Sequence, residues 1–469
     1  LGKTSSDVER RRIPCLVKEV TVPLSEGVSA RIAYAAYATG DITANELDDP
    51  TTAPGPTGGQ ILRRVSSTLS LAKNTYQSAE IRNDRQIVDF RHGVQRAEGN
   101  IAGEISLGTY MDFFEAVHRD TRTAGATADQ TTLTSIAASK SASTITFGGG
   151  DPVAAGFGVG SVIRVTGSGS VVDNTNFTVL GFSGTTNRVV AVTPAPTADV
   201  TVPVTTFTAA APGATTMVPS SNFVKRKFGV EVFHEDLNIA RLYRECRIGS
   251  YHLALPATGM GTVEFNVLGR AQFDPATGPY FTDPAAETNT PVLTAVNGSL
   301  YFGTEKVGVA TSADMTMNLT PTPAEVIGQN FSAEIFLGRA NLTGTITAFL
   351  DSQDLIDDFI NEAEVSFLLT MTSSSAANSP AMSIFMPRLK FSTAAINLTG
   401  EGGQSVSFGF QALKYVGSAA GMPQTTIVIS DTEAPASLGR STLVAPAGVD
   451  LGSGAAMPSR ASRMAMAAE

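Results

Sequence analysis

Val263-Glu264-Phe265-Asn266-Val267 and Val406-Ser407-Phe408-Gly409-Phe410 are two stretches of one alternating pattern, and reading them as copies of each other decides the fold. In each, apolar and polar residues alternate, as a strand does when one face meets a core and the other meets solvent or a lumen. Upstream the likeness continues: Leu253, Leu255, Gly259, Val263 and Phe265 are answered 143 residues later by Ile396, Leu398, Gly402, Val406 and Phe408. Further upstream a second ungapped offset of 245 takes Ala79, Glu80, Gly99, Ile101 and Phe114 to Ala324, Glu325, Gly344, Ile346 and Phe359. A repeat of this kind is an architectural statement. Because the two offsets differ, the first copy carries about a hundred residues between Phe114 and Leu253 that the second lacks.

The expected fold is therefore mainly β: two tandem units of strands, each with one flanking helix, plus a small inserted β module. Tyr110, Phe113, Phe114 and Val117 fall at helical spacing, which predicts amphipathic helices over 109–119 and 353–361, each covering one face of its sheet. Residues 106–109 offer an N-terminal cap. Gly259 and Gly402 stand where a hairpin turn would use positive φ. Residues 121–145, rich in Ala, Thr and Ser, read as a linker or surface loop. Residues 146–208 read as the inserted module, since Ser161-Val162-Ile163-Arg164-Val165-Thr166-Gly167, Phe177-Thr178-Val179-Leu180-Gly181 and Val189-Val190-Ala191-Val192-Thr193 are short strands between turn residues. The boundaries are 1–60 for an N-terminal arm and loop, 61–125 with 222–275 for the first unit, and 126–221 for the inserted linker and β domain. A linker over 276–298, the second unit over 299–417, and a C-terminal arm or tail over 418–469 complete the chain.

Composition narrows the function. Of the 469 residues only 16% are charged against 42% hydrophobic, below the roughly 25% charged of an ordinary soluble domain, which fits a chain that covers its surface with copies of itself. A formal net charge of −10 opposes a grip on nucleic acid, which depends on Lys and Arg displacing counterions. No apolar run reaches the length of a membrane-spanning helix, so no membrane partner is expected and the chain reads as soluble.

The chemistry-bearing residues do not assemble into a site, and neither an enzyme nor a cofactor or metal is expected. Gly156-Phe157-Gly158-Val159-Gly160 lacks the strand-then-helix context of a phosphate loop and reads as a turn. His92, His118, His234 and His252 lack metal-ligand spacing, and Cys15 and Cys246 cannot form a disulfide framework. His234-Glu235-Asp236 reads as a loop carrying a helix cap, and Lys225-Arg226-Lys227 and Arg10-Arg11-Arg12 as solvated positions or inter-subunit salt bridges.

Gln77-Ser78-Ala79-Glu80-Ile81-Arg82, the run from Gly93 to Ile105 and the aromatic helix after it resemble the tail tube proteins of long-tailed bacteriophages. The opening from Ala30 to Tyr37, leading to Leu62-Arg63-Arg64-Val65, is similar to that family's opening. The resemblance implies that each of the two tandem units is a β-sandwich or barrel with one flanking helix, whose strands join those of neighbours into a ring, and that rings stack into a tube through which genomic DNA passes without specific binding. It also implies homo-oligomers, with trimers giving a pseudo-hexameric ring, and contacts with other tail proteins at both ends, in a virion tail assembled in the host cytoplasm. The copies depart from each other where Phe113 is answered by Asp358 and Glu104 by Phe349, so they are expected to face different neighbours. Glu264, on the polar side of its strand, is the candidate lumen residue. The competing reading is a β-rich tail tip or fibre protein, or another virion protein, that binds the host surface.

Overall fold

The computed structural model describes residues 25–37, 56–184, 188–275, 278–350, 354–397 and 402–435. The chain is mainly β, with two short α-helices among the described residues, Met111–His118 (α1) and Asp354–Ile360 (α2). Its backbone is an antiparallel run of eight strands: Ser70–Gln77, Phe90–Glu104, Thr262–Gly269, Ile239–Pro256, Ala310–Asn318, Asn341–Phe349, Ser405–Ala412 and Ala381–Asn397. Alternation explains why these segments pair. Ile101, Phe265, Tyr251, Met317 and Leu342 lie in one cross-strand row and are all buried, while their chain neighbours point the other way.

The strands of the two halves pair in matching registers. Ile101 faces Phe265 and Gly99 faces Val267; Ile346 faces Phe408 and Gly344 faces Phe410. The long strands Ile239–Pro256 and Ala381–Asn397 each break register against their hairpin partner once, between Ile248 and Ser250 and between Phe391 and Thr393. These breaks are β-bulges, which bend a strand and raise its twist. Before its bulge each long strand belongs to a second layer, pairing with Phe228–His234 in the first half and Val365–Thr372 in the second. The strands Ala30–Ala36 and Gly298–Phe302 complete those layers. Between the layers lies one continuous apolar core, from Ile32, Tyr34 and Phe113 through Phe265 and Met317 to Phe367, Phe408 and Ile429.

Helix α1 starts later than the sequence suggests. Its N-cap is Tyr110 with no side-chain cap, and Ser106 and Thr109 bond to each other at 2.7 Å. Nor does it merely cover a sheet: all eight of its residues are buried. Phe113 contacts Tyr34, Phe228 and Phe265 at centroid distances of 4.9, 5.6 and 5.2 Å, tilted against the first and edge-on to the other two, and such aromatic pairs add about 0.5–1.5 kcal/mol each beyond area burial. Gly259 does not adopt positive φ; its hairpin closes where Ala254 faces Thr262, and Met260 beside it bridges to Thr294. Gly402 borders residues outside the described ones.

The inserted module begins earlier than expected. Its eight strands run in the order Val200–Val204, Ser135–Ser139, Thr144–Gly148, Val189–Thr193, Asn176–Ser183, Val162–Thr166, Thr208–Ala210 and Thr127–Asp129. The stretch 121–145 is therefore largely part of the module and not a linker, because Leu133, Ile136 and Ile145 point into its core beside Phe147, Phe177 and Val190. The module rests on the second half through Val159, Leu180 and Phe182, against Tyr301, Leu368, Phe385 and Val428. Beyond residue 417 the chain folds back on itself: Val428–Asp431 pairs with Ala214–Met217 on one side and with residues 382–385 on the other. The expected arm thus completes its own second layer as far as residue 435. The arm's remainder, most of the expected N-terminal arm, Cys15 and the run Arg10 to Arg12 lie outside the described residues.

Candidate functional site

The outward face of the eight-stranded run carries the residues with functional potential. Asn100, Ala102 and Glu104 stand level with Asn266, Glu264 and Thr262, these with Ser250, His252 and Ala254, and these with Asn318, Thr316 and Asp314. The rows continue into Asn341, Thr343 and Thr345, then Gly409 and Gln411, and end at Lys390 and Thr393. Glu264 is half-buried; its Oε1 accepts from Asn100 Nδ2, and Asn266 Nδ2 donates to Asn100 Oδ1 at 2.9 Å. Sequence alternation placed Glu264 on this face, and the register gives it neighbours: His252 on one side, Ala102 on the other. The charged residues are Glu98, Glu104, Glu264 and Asp314 against Arg96 and Lys390, and Arg96 Nε is held by Glu98 at 2.7 Å. What this surface presents is short hydroxyls, amides and a modest acidic excess.

Two ionic clusters hold the face in place from beneath and from its side. Around α1, Arg122 meets Glu115 at 2.6 Å and also Asp112, and Arg226 meets Glu115. Burial pushes the Glu115 carboxyl up, while Arg226 holds it down, and burial lowers the Arg122 guanidinium to about 10. His118, wholly buried, lies between Thr216 Oγ1 and Tyr251 Oη, each 3.3 Å away. Asp431 accepts from the backbone N–H of Gly108 at 2.6 Å and of Glu433 at 2.9 Å; its burial raises it to about 6.

The second cluster joins the halves. Lys227 Nζ lies 2.7 Å from Glu245 and 3.6 Å from Glu334; Arg247 lies 3.4 Å from Glu334, and Arg270 2.8 Å from Glu245. Glu334 comes from the hairpin Thr322–Ala324 with Glu334–Phe336, which lies across the first half. There Gln95 N–H donates to Asn330 O at 2.7 Å and Arg270 Nε donates to Ser332 O at 2.6 Å. Arg226 and Lys227, read from sequence as solvated or inter-subunit residues, are thus engaged within their own chain. The reason is topological: their partners lie on α1, on the adjacent strand and in the other half. His234 ends a strand and Glu235 and Asp236 form the turn into Ile239–Pro256, so no helix is capped there; Asp236 accepts from Ser25 and Glu26.

The residues singled out by repetition occupy two kinds of place. Ile101, Phe265, Val263, Gly99 and Phe114 cluster in the first half, and Ile346, Phe408, Val406, Gly344 and Phe359 pair or pack in the second. Gly99 and Gly344 are close-approach positions, where a Cβ would stand 2.5 Å from Leu69 Cα and 2.3 Å from Asp314 O. Ala79 and Glu80 stand in the exposed turn after Ser70–Gln77, whereas Ala324 ends a strand and Glu325 accepts from Asn74 at 3.1 Å. The strands leading into them match one residue out of step with the 245 offset, since Ser67 faces Ile101 while Ala313 faces Ile346. Among the described residues no group of His, Cys, Asp and Glu is placed to hold a metal ion, and no helix is long and apolar enough to cross a membrane.

Comparison with known proteins agrees with the architecture. No curated protein matches the chain. A family model described as phage tail tube protein matches residues 27–412, which takes in both halves and the inserted module. With that match over most of its length, the chain belongs to the phage tail tube protein family.

Proposed function

We propose that this structural tail tube protein polymerises into stacked rings whose bore conducts the genome into the host, and that each chain supplies two tandem copies of one unit to its ring. The observation that carries the reading is the continuous sheet. Ile239–Pro256 of the first half pairs antiparallel with Ala310–Asn318 of the second, Ser250 against Asn318 through Pro256 against Ser312. In the same chain the corresponding partners are left with open edges: among the described residues Ser70–Gln77 pairs only with Phe90–Glu104, and residues 391–397 only with Ser405–Ala412. An unpaired edge is a template for another strand. Carried over from the intrachain joint, the register sets Thr393 of one copy against Ala72 of the next, Ala395 against Ser70 and Ile396 against Leu69. A head-to-tail joint of this kind closes into a ring if its rotation permits; three chains would supply six units.

The polar face then lines the bore. A polyanion with one charge per about 1.7 Å would be arrested by a basic wall; hydroxyls, amides and the carboxylates of Glu104, Glu264 and Asp314 give it nothing to bind. The inserted module, packed on the other layer, would decorate the outside. On this reading the partners are further copies of the chain, other tail proteins at each end, and DNA in transit, in a virion tail assembled in the host cytoplasm. The role is that of a conduit and not of an enzyme. Electron microscopy of the purified protein, alone and with tail initiation proteins, tests it: hollow tubes with a regular axial repeat are expected, and particles that remain single chains under every condition would refute it.

A further inference from the structure

Resting on the two-copy reading, the intrachain clamp around Glu334 has an unoccupied counterpart. The two hairpins match in pairing: Gln77 faces Phe90 as Pro323 faces Ile335, and Ser78 N–H bonds Asp89 O where Ala324 faces Glu334. Asp89 therefore answers Glu334, Phe90 answers Ile335 and Val88 answers Ala333. Their surroundings differ sharply. Ile335 is 2% exposed and Ala333 6%, because they lie against the first half; Phe90 is 52% exposed and Val88 53%.

The receiving surface is repeated as well. Lys390 stands at the position of Arg247 and Arg388 at that of Glu245, since both pairs keep the register against the following strand (Arg247 with Leu268, Lys390 with Gln411). Glu364 takes the place of Lys227 and pairs with Arg388, while Lys390 lies 3.7 Å from Glu364 and 4.0 Å from Glu362. This group is part exposed, beside an open cleft of about 410 Å³ lined by Phe359, Ile360, Glu362, Lys390 and Phe391. In the first half Arg247 is covered by Ile335, whose carbonyl accepts from Arg247 Nη1 at 2.5 Å.

We infer that the base of the hairpin loop, at Asp89 and Phe90, docks on the Lys390 cleft of a second copy of this chain. Phe90 enters the cleft, Asp89 meets Lys390 and Arg388, and Arg91, now 2.9 Å from Asp89 in its own chain, faces Glu362 and Glu364. The charges balance: the hairpin brings Asp89 and Arg91, and the receiving group is two carboxylates with two cations. Glu334 and Asp89 thus play one part at alternate joints of the ring.

Zero-length carbodiimide cross-linking of assembled particles tests this, with heavy-isotope-labelled and unlabelled copies mixed before assembly. The expected product is a peptide joining Asp89 to Lys390 with one half labelled and the other not. Asp89→Lys and Lys390→Asp, each checked for folding by circular dichroism, should raise the subunit concentration needed for assembly by at least about tenfold, and the double variant should recover it. Wild-type rings that give no mixed-isotope Asp89–Lys390 peptide, or single variants that assemble like wild type, overturn the docking and leave the ring reading standing. Wild-type chains that never associate, even with tail initiation proteins, remove both.

Discussion

Acidification from pH 7 to 5 should act on this protein through His118. The imidazole is wholly buried at the end of α1, and burial pushes it from 6.5 down to about 3. The folded chain therefore keeps His118 neutral over a range in which the unfolded chain takes up a proton. The stability this represents is complete above pH 6.5 and is lost as the pH falls towards 3. Between pH 7 and 5 the unfolded state gains about 1.5 units of free protonation, which at 1.36 kcal/mol per unit costs on the order of 2 kcal/mol. Asp431 works against it. Its carboxyl is raised to about 6, so its contribution is greatest below the unfolded value of 3.8 and is lost as the pH rises through 6; the same acidification restores about 1 kcal/mol. Since Asp431 is common to both proteins, the comparison that isolates His118 is wild type against His118→Gln, which keeps a polar group near Thr216 and Tyr251. Urea unfolding at the two pH values, followed by far-ultraviolet circular dichroism and by tyrosine emission in this tryptophan-free chain, should show wild type losing about 2 kcal/mol more than the variant. Equal losses in the two proteins, or an imidazole resonance of His118 that titrates above pH 5, would refute the reasoning.

Removing Arg122 leaves Asp112 and Glu115 facing each other in the interior beside Arg226; Arg122→Ala should cost about 3–5 kcal/mol in chemical denaturation. Phe113→Ala opens a hole where Tyr34, Phe228 and Phe265 meet, at a cost of about 3–5 kcal/mol by the same assay, with assembly lost before the far-ultraviolet spectrum changes. Glu264→Lys replaces a half-buried carboxylate that, among the described residues, bonds to Asn100; it should shift stability by about 1 kcal/mol or less. Tubes should still form and genome release should slow, which time-resolved ejection from variant virions would measure; unchanged release would remove Glu264 from the bore.

The strands were legible wherever large apolar residues alternate with polar ones. Val263-Glu264-Phe265 and Val406-Ser407-Phe408 lie in strands, and Glu264 points to the polar side as its position implied. Where the core-facing residues are small or diluted by Ala and Ser, the signal failed: Ile136 and Ala138 alternate in Ser135–Ser139, but the surrounding composition reads as a linker. Helix α1 was found from its aromatic spacing, yet spacing says nothing about what covers its other sides, and Asp112 and Glu115 look like a solvent face until Arg122 and Arg226 are brought to them. The clamp around Glu334 was invisible for the same reason. Glu245 and Glu334 come from separate strands, Lys227 from just before a third and Arg270 from the bend between two others, and only the packing of one half on the other makes a cluster of them. Local pattern encodes which way a residue points; long-range pairing decides what it meets.

The chain leaves the body of the molecule at Thr123–Ala124 and re-enters at Ala214–Met217, and these two short strands pair with each other, Ala124 against Ala214. Gly125 N–H also bonds Gly213 O, and Ala211 N–H bonds Ala126 O. The module's chain thus enters and leaves through one doorway two strands wide. A lineage could lose, enlarge or exchange what hangs there in a single genetic step, provided that Tyr301, Leu368 and Phe385 found another cover. Change in the module would then leave the two-layered body, which has an apolar core of its own, as it is.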